Sequence, residues 1–133
     1  MTLPDSAGAP VPVRVLVVDD MEDNAETLAE ILRMMGAEAW VAHDGQQALD
    51  FVAATPPDLV LLDIGLPGMD GYETARRLRS LTTAPLRLVA LTGYGSDEDR
   101  ERSRGAGFDS HLVKPVSPDV LEKLLAGITP ISA

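Results

Sequence analysis

Short runs that are apolar at nearly every position alternate along this chain with longer stretches whose apolar residues recur every three or four positions. Val13–Val18 (VRVLVV) is the first such run, the pattern of a strand buried on both faces. Met21, Ala25, Leu28, Leu32 and Met35 then recur at helical spacing, and Gly36 supplies a stop. Glu38–Ala42 reads as a short strand. Gly45–Ala54 reads as a helix with Ala48, Leu49, Val52 and Ala53 on one face, closed by Pro56 and Pro57. Leu59–Leu62 is a second continuous apolar strand. After a loop with Gly65, Pro67, Gly68 and Gly71, the residues Tyr72, Ala75 and Leu78 mark a third helix. Leu86–Leu91 and Ser110–Val113 are the last two strands. Pro118 opens a closing helix that carries Val120, Leu121, Leu124 and Leu125.

Between those last two strands, Ser96–Ala106 is helical by charge rather than by an apolar face. Its acids come first and its arginines later, which suits the helix dipole. Glu98–Arg102 and Asp97–Arg100 have the spacing of surface ion pairs. A helix polar all round packs weakly, so this one is expected among the more mobile parts of the fold. The whole pattern is five β–α pairs, which implies an α/β domain with a parallel sheet and helices on both faces.

A doubly wound sheet places its functional site outside the carboxyl ends of its strands. Asp19 and Asp20 end the first strand, Asp63 the third, Thr92 the fourth, and Lys114 the fifth. The strand assignment therefore brings three carboxylates, a hydroxyl and an amine to one edge. Three close carboxylates repel one another unless some hold protons or a cation sits between them. Hard oxygen ligands at this density suit Mg²⁺, which binds few protein carboxylates plus a phosphate oxygen. Asp63, the central acid, is the candidate nucleophile, and its attack on a phosphoryl donor gives an acyl phosphate. Lys114 would add neutralising charge, and the Thr92 hydroxyl a hydrogen bond to a phosphate oxygen. Each residue also has a plainer reading. Asp19 and Asp20 could cap a helix, Asp63 could begin a turn, Thr92 could be a loop hydroxyl, and Lys114 a solvated strand end. It is their joint placement at strand ends that favours chemistry.

Composition narrows the classes further. At 133 residues the chain has the size of one domain that buries its own core. There is no cysteine and there are two histidines, which excludes disulfides and thiolate sites and disfavours a His-rich zinc site. A net charge of −10 argues against a broad basic face for nucleic acid or anionic lipid. No apolar run is long enough to cross a bilayer, and the first twelve residues lack the pattern of a secretory signal. The expectation is a soluble cytoplasmic protein with no direct nucleic-acid binding and no membrane insertion. Residues 1–12 read as a flexible tail or linker, 13–127 as the domain, and 128–133 as a C-terminal tail.

The motifs Leu16-Val-Val-Asp-Asp20, Asp63-Ile-Gly-Leu-Pro-Gly-Met-Asp-Gly71, Ala90-Leu-Thr-Gly93 and Val113-Lys-Pro115 stand in order, and together they resemble the receiver domain of two-component response regulators. The resemblance spans Val13 to Leu125. It implies a flavodoxin-like fold with strand order 2-1-3-4-5, and a signalling switch rather than a metabolic enzyme. Asp63 would be the phosphoacceptor. Asp20, Asp63 and the backbone carbonyl of Gly65 would bind Mg²⁺ directly, and Asp19 largely through water. Lys114 would pair with the phosphate, Thr92 would move toward it, and the Lys114–Pro115 bond would be cis. The donor would be a phosphohistidine on a histidine kinase or a histidine phosphotransfer protein. Catalysis would be limited to self-phosphorylation and self-dephosphorylation. The output surface would lie on strand four, the polar helix, strand five and the last helix.

The chain departs from the family pattern in places. His111 stands where many members carry Tyr or Phe; it reads either as a polar surface group or as a pH-dependent switch residue. Gly65 and Tyr94, two positions beyond Asp63 and Thr92, offer no carboxylate or amide to orient an attacking water, so a long-lived phosphate is expected. Trp40 is assigned to packing. The residues after Lys114 are too few for a helix-turn-helix domain, so the chain reads as a single-domain regulator or as a receiver cut from a larger protein. The ends resemble those of a receiver joined to a hybrid sensor kinase, in which case the parent would be a histidine kinase. Two other classes fit less well. A Mg²⁺-dependent aspartyl phosphohydrolase lacks a second Asp where Gly65 stands. A flavin mononucleotide carrier would meet Asp19 and Asp20 where its phosphate cradle belongs.

Overall fold

The computed structural model describes residues 12–66, 68–82, 85–93 and 104–128. Five strands, β1 (Arg14–Val18), β2 (Glu38–Ala42), β3 (Leu59–Asp63), β4 (Arg87–Thr92) and β5 (Ser110–Val113), form one parallel sheet in the order β2-β1-β3-β4-β5. Among the described residues four helices accompany it: α1 (Glu22–Met34), α2 (Gly45–Ala54), α3 (Gly71–Leu81) and α4 (Pro118–Ala126). The polar helix expected over Ser96–Ala106, its ion pairs and Tyr94 lie largely outside the described residues; Arg104 and Gly105 are helical. Most of the two expected tails lies outside them as well.

Alternation along the strands sends neighbouring side chains to opposite faces. Leu16, Val18, Val60, Leu62, Leu88 and Ala90 face α2 and α3, where Ala48, Val52, Ala75 and Leu78 meet them. Val15, Val17, Leu59, Leu61, Val89 and Leu91 face Ala25, Ala29 and Leu32 of α1 and Leu121 of α4. The three central strands are buried on both sides, which is why they read as continuous apolar runs. A fully buried Leu such as Leu62 contributes about 2 kcal/mol of apolar transfer. Trp40 packs its ring 5.4 Å from that of Phe51.

Side-chain caps set where three helices begin. Asp44 accepts from Gln47 N–H, Asp70 from Glu73 N–H, and Ser117 from Val120 N–H. Helix α1 differs. Its N-cap is Met21, which makes no side-chain cap bond, so neither Asp19 nor Asp20 is spent as the N-cap of this helix. Asp63 ends β3, in register with Leu91, and Thr92 ends β4, as the sequence places them; β1 and β4 begin one residue later than expected, at Arg14 and Arg87, and β1 and β5 stop at Val18 and Val113, just short of Asp19 and Lys114. Asp63 and Thr92 continue the ladder because the strands beside them do.

Candidate functional site

The carboxyl ends of β1, β3 and β5 bring Asp19, Asp20, Asp63 and Lys114 together. One ligand oxygen from each of the three acids lies within 4.8 Å of the others. Lys114 Nζ stands 3.0 Å from Asp63 Oδ2 and 3.3 Å from Asp19 Oδ2, although 51 and 95 residues separate it from them in the chain. Asp19 is buried, Asp63 is half-buried and Asp20 is exposed, so the cluster opens to solvent on one side.

Backbone donors fix two of the carboxylates. Met21 N–H donates to Asp19 Oδ1 at 3.0 Å, and Gly65 N–H to Asp63 Oδ1 at 2.9 Å. Asp63 therefore has one oxygen held by its own turn and the other against Lys114. Thr92 is buried at the same edge, and its carbonyl accepts Lys114 N–H at 2.8 Å, which ties the lysine to the end of β4. The Lys114–Pro115 peptide is cis. His111 does not join the acids. It pairs in register with Ala90 and lines a separate cleft with Ser110, Val113, Ser117 and Val120.

Electrostatics follow from that layout. Burial alone would lower the Lys114 pKa, but its hydrogen bond to Asp63 and the charges of Asp63 and Asp19 outweigh burial and raise it. Three carboxylates against one ammonium leave the group two positive charges short of neutrality, and among the described residues Lys114 is the cation in ion-pair reach of it. Crowded hard oxygen donors with a solvent-facing side fit a divalent cation.

Two residues of the site carry no signal of this kind in the sequence reading. His43, just beyond β2, places Nδ1 3.3 Å from the Asp19 carbonyl oxygen, and the strand-end rule applied to β2 would have found it. Gly71 opens α3 against the Asp63–Ile64 backbone. A Cβ there would collide with Ile64 Cα and stand 2.7 Å from the Asp63 carbonyl oxygen, so only glycine fits. Nothing in a Gly-rich loop marks this glycine above its neighbours.

Beside the site, Asn24, Thr27, Leu28 and Ile31 of α1 face Leu91, Pro115 and Val116 across a cleft of about 470 Å³ that also reaches Asp19 and Lys114. No helix among the described residues is long and apolar enough to cross a membrane.

Comparison with known proteins bears on this geometry. The family model described as "Response regulator receiver domain" matches residues 15–126. The response regulator MprA of Mycolicibacterium vanbaalenii is 42% identical over 116 residues, which cover 87% of this chain and 48% of that protein. The sensor histidine kinase RcsC of Salmonella typhimurium is 39% identical over 112 residues, covering 84% of this chain and 12% of that protein. Among solved structures, the chemotaxis protein CheY4 of Vibrio cholerae superposes with a TM-score of 0.80 at 29% identity, covering 87% of this chain and 98% of that one. The chain spans about half the length of the MprA relatives it matches.

Proposed function

The chain belongs to the response regulator receiver domain family, and on that footing we propose that it is a phosphoacceptor switch in which Asp63 takes a phosphoryl group from a phosphohistidine. The donor is a histidine kinase or a histidine phosphotransfer protein. An Asp63 carboxylate oxygen attacks phosphorus, the P–N bond breaks with its electron pair passing to the imidazole, and an acyl phosphate forms. The observation that carries this reading is the contact of Lys114 Nζ with both Asp63 and Asp19 beside the exposed Asp20.

In this reading Asp20, Asp63 and the Gly65 carbonyl hold Mg²⁺, with Asp19 acting through water. When bound, the ion supplies positive charge that offsets the crowded carboxylates and the incoming phosphoryl oxygens. Lys114 pairs with the phosphate once it is attached. The Thr92 hydroxyl donates to a phosphate oxygen, and Thr92 and His111 pass the change to the output face. Gly65 presents no side chain that could orient water on the acyl phosphate, so the phosphate is long-lived, and rapid loss unchanged by Gly65→Asn would contradict this. The domain occupies residues 13–127 between flanking segments 1–12 and 128–133. It works in the cytoplasm, catalyses nothing beyond its own phosphorylation and dephosphorylation, and acts on a protein partner rather than on nucleic acid or a membrane. If the chain is part of a hybrid protein, the parent is a histidine kinase.

The test is mass spectrometry after incubation with acetyl phosphate and Mg²⁺. Wild type gains one phosphoryl group and Asp63→Asn gains none. Equal uptake by both, or uptake by neither, overturns the assignment.

A further inference from the structure

Helix α3 is fastened at both ends to parts of the molecule that the proposed chemistry has to connect. At its start, Gly71 N–H donates to Ile64 O at 3.2 Å, and the Gly71 Cα lies so close to the Asp63–Ile64 backbone that no side chain fits between them. At its other end, the Arg79 guanidinium reaches three acceptors on two segments, one before β4 and one before β5. Nη1 donates to Leu86 O at 2.6 Å, Nε to Gly107 O at 2.9 Å, and Nη2 to Asp109 Oδ2 at 2.7 Å. Gly107 has φ +101, and a Cβ there would stand 3.0 Å from Arg79 Cγ, so the turn is shaped around the arginine stem. Asp109 accepts in addition from Leu88 N–H at 2.8 Å. Arg79 thus grips the beginnings of the two strands that end in Thr92 and lead to Lys114.

We propose that Arg79 is a positioning residue that carries displacement of the Asp63–Ile64 backbone, through α3, to the Gly107–Asp109 turn and the start of β5. This rests on the phosphoacceptor reading of Asp63. A helix cannot compress along its axis, and with glycine-tight contact at one end and a three-acceptor grip at the other it moves as a strut. A planar guanidinium is suited to the grip, because a lysine ammonium is a point charge on a flexible stem and cannot hold three divergent acceptors in one geometry.

The test is hydrogen exchange of residues 104–113 before and after loading with acetyl phosphate and Mg²⁺, in wild type, Arg79→Lys and Asp109→Asn, with phosphoryl uptake read by mass in the same samples. In wild type, loading changes exchange in this segment by about fivefold, the low end of ordinary coupling. In Arg79→Lys, uptake persists while the loaded and unloaded rates become equal. Asp109→Asn keeps an acceptor for Leu88 N–H, folds, and loses part of the response. A purely structural Arg79 would raise exchange equally in both states and leave their ratio at the wild-type value, which overturns the proposal. An unchanged wild-type segment despite uptake also overturns it, and absence of wild-type uptake defeats the phosphoacceptor reading itself.

Discussion

Aspartates stand at both ends of this sheet, and they live under opposite conditions. At the amino ends, Asp58 precedes β3 and Asp109 precedes β5. Asp58 is buried and accepts Arg14 N–H at 2.8 Å, while Asp109 accepts from both the Arg79 guanidinium and Leu88 N–H. At the carboxyl ends, Asp19, Asp20 and Asp63 crowd within 4.8 Å of one another around a single ammonium. The first pair accepts from strand backbone and from one arginine, and its work is to hold strands in place. Among the described residues the second group is short of positive charge, which suits an added cation. Residue type is therefore a poor guide to function here; the crowding of like charges around an acid, more than its number of donors, separates scaffold from site.

That contrast can be broken by measurement. The largest effect is expected at the amino ends of the strands. Asp58→Ala removes a buried carboxylate and leaves Arg14 N–H without its acceptor, and should cost about 3 kcal/mol in denaturant unfolding, with or without Mg²⁺. At the open end, added Mg²⁺ should stabilise wild type by about 1.4 kcal/mol at tenfold its dissociation constant, and Asp20→Asn should lose most of that gain. Without metal the sign should reverse between the ends: Asp20→Asn relieves repulsion and should stabilise the protein by about 0.5 kcal/mol at low salt, and a loss of stability would place Asp20 with the scaffold acids. The smallest effect is in alkali. The folded-state pKa of Lys114 is raised above its ordinary 10.5, so its ion pairs contribute fully below that value and fade as pH rises through the folded pKa. The stability difference between wild type and Lys114→Met should hold level from neutrality to the ordinary lysine pKa and shrink beyond it.

Much of the site was readable in the sequence because one rule locates it. In a parallel sheet, residues just after strands share an edge, so apolar runs ending in Asp19-Asp20, Asp63, Thr92 and Lys114 pointed there before any coordinates. The acids at the amino ends escaped because the same rule draws no attention to residues before strands. Asp109 looks like any turn aspartate, and its partner Arg79 lies 30 residues away on a helix whose other arginines, Arg76 and Arg77, pair at the surface with Glu73. Gly71 escaped for a different reason: close approach of backbones is a property of packing, and a loop with several glycines hides the one that packing requires. His111 kept two readings in sequence, and its register opposite Ala90 places it away from the acids, beside a cleft.

The strict alternation of β1, β3 and β4 makes the sheet a bulkhead between two interiors. Leu16 and Leu62 belong to one compartment, Val17 and Leu61 to the other, and no side chain serves both. Damage or repacking beneath α2 and α3 should leave the filling beneath α1 and α4 undisturbed, as flooding in one hold of a ship leaves the next one dry. Each flank can then vary on its own, while the strand ends between them keep their spacing.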